Sequence, residues 1–113
     1  MKKFTALLTA LVMMLALALP AFAASQTDSD YVKEKGTLVV GITDFAPMDY
    51  KDEDGNWIGF DADVAAAFAE SLGVQVEFVE IEWDNKVLEL NSKSIDCVWN
   101  GMTLTDEVTS SMA

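Results

Sequence analysis

Residues 61–81 read "DADVAAAFAESLGVQVEFVEI", and the period of the apolar residues changes inside that stretch. Val64, Phe68 and Leu72 recur every four residues among alanines, the spacing of an amphipathic helix, with Asp61 as the expected N-cap and Gly73 as the residue just past the end. From Val74 to Ile81 apolar and polar residues alternate instead, as in a strand with one solvated side, and Glu77 and Glu80 need no role beyond that side or a sheet edge. A helix that passes through one glycine into a strand is half of a β-α-β unit. The other strand should lie just upstream.

Upstream, "TLVVGIT" (37–43) is an almost unbroken apolar and β-branched run, as expected of a strand buried on both faces. Downstream, "EWDNKVLELNSKS" (82–94) predicts a shorter helix capped by Asp84, and "IDCVWNG" (95–101) a third buried strand. Thr105 then suits the N-cap of a further helix, with Asp106 and Glu107 placed where acids favour the helix dipole. This order predicts an α/β fold with a parallel three-strand sheet and flanking helices, because right-handed crossovers join parallel neighbours.

The segment "DFAPMDYKDEDGNWIGF" (44–60) reads as a loop and a tight turn at Asp54-Gly55. Asp52, Asp54 and Asn56 suggest calcium, but a calcium loop starting at Asp52 needs glycine where Trp57 stands and glutamate where Asp63 stands. A solvated turn is the expectation.

At the front, Lys2 and Lys3 precede an apolar stretch, Pro20 and the triplet Ala21-Phe22-Ala23. That order predicts a cleavable signal peptide over 1–23, and hence a periplasmic or extracellular protein. Residues 24–36 are polar and charged and read as a flexible leader, with the folded unit over 37–113.

Charge and composition exclude several functions. The chain has 19 acids against 7 lysines, and without Lys2 and Lys3 the net charge is −14, so nucleic acid and anionic membranes are poor partners. It contains neither arginine nor histidine, which removes catalytic triads, imidazole metal sites and guanidinium clamps. Cys97 is the single cysteine, lies in an apolar run, and reads as a small buried hydrophobe. No metal or cofactor is expected, and the protein is expected to be a monomer.

Loops at the carboxyl ends of parallel strands gather on one edge. Here they bring Phe45, Trp83 and the Gly101–Thr105 loop towards one crevice, a plausible small-molecule site with apolar walls and polar fixing points. The alternative is that Phe45 and Trp83 only pack the core and Thr103 is an ordinary loop hydroxyl.

"GTLVVGITDFAPMDY", "DGNWIGFDADVAAAFAESLG", "VEFVEIEWDN" and "IDCVWNGMTLTDE" resemble the N-terminal lobe of bacterial amino-acid-binding proteins, the polar-amino-acid branch of solute-binding protein family 3. The resemblance runs from about Gly36 to Glu107. It implies lobe 1 of a two-lobe periplasmic-binding-protein fold, a small polar ligand such as an amino acid, and an ABC permease as partner. By position, Phe45 would cover the ligand side chain and Trp83 pack from the other side. Gly101 and Thr103 would hold the α-amino and α-carboxylate groups, and Asp44 would lie near the ligand amine.

Two departures matter. Lys93 stands where relatives often have glycine, and Val108 where they commonly carry a carboxylate-binding arginine, whose loss is worth roughly tenfold to a hundredfold in affinity. The resemblance covers only the first of two lobes, so the other expectations are a truncated gene product without binding activity or, with less support, a dehydratase-like enzyme of the same fold. A bare, apolar sheet edge at Ile95–Trp99 is expected in that case.

Overall fold

The computed structural model describes residues 25–113, so the signal peptide expected over 1–23 lies outside the described residues. The elements in order are α1 (Asp28–Lys35), β1 (Thr37–Ile42), β2 (Tyr50–Lys51), β3 (Trp57–Ile58) and α2 (Phe60–Ser71). There follow β4 (Gln75–Glu80), a 3-10 turn (Trp83–Asn85), α3 (Lys86–Asn91), β5 (Cys97–Val98) and α4 (Asp106–Ser111). The expected parallel sheet is present with the order β4-β1-β5, and β2 and β3 form a separate antiparallel pair. β1 is the central strand. It runs six residues beside β4, from Thr37 opposite Gln75 to Ile42 opposite Glu80, and meets β5 through Val40–Cys97 and Gly41–Val98.

Four local expectations are corrected. Residues 28–35 are a helix and not a flexible leader. Thr27 Oγ accepts from the Asp30 N–H at 3.1 Å, and the Asp30 carboxylate accepts from the Thr27 N–H at 3.3 Å, a reciprocal cap that stabilises so short a helix. Hydrogen bonding to Thr27, its side chain first and then its backbone N–H, holds the Asp30 carboxyl below its usual range.

Second, Asp61 does not cap α2. The helix starts two residues earlier, at Phe60 behind Gly59, and the Asp61 N–H donates instead to Met48 O at 3.0 Å. Its far end follows expectation: Gly73 takes a left-handed φ of 75°, with Gly73 N–H to Glu70 O and Val74 N–H to Ala69 O closing the turn.

Third, α2 buries its alanines and not its large side chains. Ala62, Ala65 and Ala69 face the sheet, whereas Phe60, Val64 and Phe68 are exposed. Small side chains let the helix settle close to β1 and β4, and Phe68 turns sideways onto the Trp99 ring, 5.7 Å between centroids.

Fourth, Asp84 caps nothing: it sits inside the 3-10 turn, and α3 begins at Lys86 without a side-chain cap. At the end of α3, Lys93 adopts φ 61°, the left-handed backbone that glycine adopts more readily.

The core joins Val32, Leu38, Val40, Ala65, Ala69 and Val74. On the opposite face of β1, Ile95 and Ile81 close over Gly41, where a β-carbon would stand 2.6 Å from Ile95 Cδ1. β5 lies at the sheet edge, as anticipated for the Ile95–Trp99 segment.

Asp49 has no accessible surface, and neither carboxylate oxygen has a hydrogen-bond partner. Burial raises its pKa to about 6, aided by the negative charge of nearby Asp61. The folded protein therefore binds this proton more tightly than the unfolded chain does. Stability from this group is complete below about pH 4 and lost as pH rises through about 6. The full displacement is worth ~3 kcal/mol. Asp49 lies only just beneath the surface, where solvent screens part of that, so Asp49→Asn should stabilise the protein by about 1–2 kcal/mol at pH 7. The gain should vanish near pH 4. Urea unfolding at both pH values checks this, and an equal gain at both would show that ionisation is not the cause.

Candidate ligand-binding site

The three strands end on one side of the sheet, and the loops that leave them meet there. After β1, Phe45 and Asp49 bridge the loop back on itself through Phe45 N–H to Asp49 O (2.6 Å) and Asp49 N–H to Phe45 O (3.0 Å). After β4 the chain enters the 3-10 turn with Trp83 at its first position. After β5, Asn100 Nδ2 donates to Thr43 Oγ1 at 2.6 Å, tying the ends of β5 and β1 together. The chain then runs extended to Thr105, whose hydroxyl accepts from the Val108 N–H at 3.3 Å and starts α4 as expected.

Trp83, Gly101 and Thr103 line one cavity of about 240 Å³, together with Lys86, Met102, Thr105, Glu107 and Val108. Phe45 stands at its edge: a β-carbon on Gly101 would touch the Phe45 ring at 3.4 Å. A side chain at position 101 would therefore press on the Phe45 ring, which is itself about half exposed. Asp44 is exposed on the same loop and does not line the cavity. Four of the five expected residues thus converge, and Asp44 stands apart.

Sequence reasoning passed over Lys86. Only 9% exposed, it reaches back over the Trp83 ring, with Nζ 4.7 Å from the centroid and 3.3 Å from Trp83 O. One signal in the sequence could have found it: lysine at the first position of a helix opposes the helix dipole, so its placement there calls for another reason. Val108 is buried and borders the same cavity.

A second cavity, about 320 Å³, lies at the opposite end of the sheet between α1 and the Ile95–Asp96 turn. It is larger than the cavity at Trp83, but it adjoins the amino ends of the strands, away from the edge where parallel sheets place ligands. Burial, and then the charge of Asp96, push the Cys97 thiol up to about 11, which disfavours the reactive thiolate.

Residues 38–113 match the family described as bacterial extracellular solute-binding proteins, family 3. The L-cystine-binding protein TcyJ of Escherichia coli is 39% identical over 77 residues, which is 67% of this chain and 29% of that protein. The cyclohexadienyl dehydratase of Pseudomonas aeruginosa is 33% identical over 107 residues, 94% of this chain and 40% of that enzyme. Among solved structures, the arginine-bound form of domain 1 from TmArgBP aligns with a TM-score of 0.66 at 40% identity, covering 72% of this chain and 65% of that one. The chain therefore spans 29% to 40% of the length of these two curated relatives.

Proposed function

The chain belongs to the bacterial extracellular solute-binding proteins, family 3, and from that membership we propose that it binds an amino acid between Phe45, Trp83, Gly101 and Thr103. In this reading it is exported and passes its ligand to an ABC permease in the membrane. The observation that carries the proposal is the convergence of Trp83, Gly101 and Thr103 on one cavity, with the Phe45 ring against Gly101. Aromatic faces would flank the ligand's side chain, and the loop N–H groups and the Thr103 hydroxyl would hold its polar end. The TmArgBP neighbour supports binding by such a domain alone, since it is a single domain 1 with arginine bound.

A thermal-shift screen of the purified chain against the common amino acids and cystine tests this. A ligand at 100 times its Kd stabilises by ~2.7 kcal/mol, which for a domain this size raises Tm by roughly 10–20 °C. No shift with any amino acid at millimolar concentration overturns the proposal.

A dehydratase reading has one structural point in its favour: Lys86 and Glu107 place a cation and a carboxylate on the same cavity. The two groups border the cavity without pairing, which leaves each free to act on a bound molecule. Turnover of a cyclic hydroxy acid by the purified chain would establish it, and stabilisation by amino acids without turnover would favour binding.

A further inference from the structure

Lys86 is a buried cation without a counter-ion. Its ammonium has three N–H donors and uses one, in a long bond to Trp83 O. Among the described residues the lysines paired with carboxylates are Lys35, with Asp96, and Lys51, with Glu80; no carboxylate lies within ion-pairing distance of Lys86. Lys33 and Lys93 have no carboxylate partner either, but both are exposed to water, whereas Lys86 is buried. Glu107 borders the same cavity but is exposed and outside that distance. A charge taken out of water without a partner is costly, so a structure that keeps one faces it towards something that supplies the partner.

What Lys86 faces is the cavity, with Thr103 and Val108 on the same lining. The Trp83 ring lies 4.7 Å from the ammonium, close enough for cation–π attraction to hold it in place. Position 108, on α4, offers only an aliphatic side chain. We propose that Lys86 is the cation that receives the ligand's carboxylate, acting from the start of α3 in place of any cation at position 108. This rests on the binding role proposed above for the same cavity, and it narrows the ligand class to molecules with a free carboxylate.

The test compares amino acids with the amines left when their carboxylate is removed: L-arginine with agmatine, and L-cystine with cystamine. Calorimetry is done on the purified chain and on Lys86→Met and Lys86→Arg. The wild type should prefer the amino acid. Lys86→Met should lose roughly tenfold to a hundredfold in affinity for the amino acid, with little change for the amine, and Lys86→Arg should recover most of the loss. A lysine that only packs against Trp83 would affect both ligands alike. Equal amino-acid affinity in wild type and Lys86→Met overturns the inference while leaving the binding role intact. Should Lys86→Met fail to fold, equal affinity of the wild type for amino acid and amine overturns it by itself. If no amino acid binds the wild type, the binding role falls and takes this inference with it.

Discussion

Gly59→Ala should lower the stability of the protein by about 3–5 kcal/mol, a large share of the 5–15 kcal/mol that a domain of ordinary stability has. Two costs combine at this position. Gly59 has φ 112° and ψ 174°, a backbone region open essentially only to glycine, where another residue costs ~1–3 kcal/mol. In addition, a β-carbon here would collide with the Met48 carbonyl and stand 2.7 Å from Pro47 O. Those are backbone atoms and cannot step aside by changing rotamer. The Met48 carbonyl is also the acceptor for the Asp61 N–H that begins α2, so moving it loosens the start of the helix. Gly55 provides the control, with φ 82° and nothing within 4 Å of its would-be β-carbon. Gly55→Ala should cost only about 1 kcal/mol. Urea unfolding of both variants separates strain from collision, and similar losses in the two would show that the Met48 contact relaxes freely. Because Met48 belongs to the hydrogen-bonded loop 45–49 that presents Phe45, ligand affinity should fall in any Gly59→Ala protein that remains folded.

The sheet was legible in the sequence because its strands have unambiguous patterns. "TLVVGIT" is apolar throughout and lies in the centre, while "VQVEFVEI" alternates and lies at an edge. The Gly73 stop and the Thr105 cap were legible for a similar reason: each depends on one residue type with one local geometry. Patterns failed where the deciding interaction comes from elsewhere in the chain. The Val64 and Phe68 spacing identifies a helix, but size alone does not say which side faces the sheet. The alanine side won because it permits closer approach. Asp61 looked like a cap because the Met48 carbonyl, 13 residues earlier, is invisible to local reading. The convergence of Phe45, Trp83, Gly101 and Thr103 was legible because topology sends all three loops to one edge. Lys86 was not, since its significance lies in what it lacks, a carboxylate partner, and that is seen only when distances are known.

The helix α1, read from sequence as a flexible leader, is held by an interaction of the same long-range kind, and its removal is the second large effect expected. Asp96 begins the turn into β5, and its side chain is only 5% exposed. It accepts from Lys35 Nζ at 2.8 and 2.6 Å and from the Val39 N–H at 2.8 Å, while its own N–H donates to Val39 O at 2.8 Å. One residue thus joins the end of α1, the middle of β1 and the start of β5. Asp96→Ala would leave Lys35 and the Val39 N–H without this acceptor, and should cost about 2–4 kcal/mol. Asp96→Asn, which keeps an acceptor for Val39 but loses the charge, should cost about half as much. The Lys51–Glu80 pair gives the scale for an ordinary surface contact, because its side chains are 45% and 53% exposed, and Lys51→Met should cost no more than ~1 kcal/mol. Hydrogen exchange should show residues 28–35 losing protection in Asp96→Ala before the sheet does, because Val32 is the one side chain of α1 that is buried in the core. If Asp96→Ala instead resembles Lys51→Met, solvent screens the Lys35 contact and the buried Val32 alone keeps α1 in place. The double variant with Lys35→Met then decides between these, since a true pair loses most of its cost when both partners are absent.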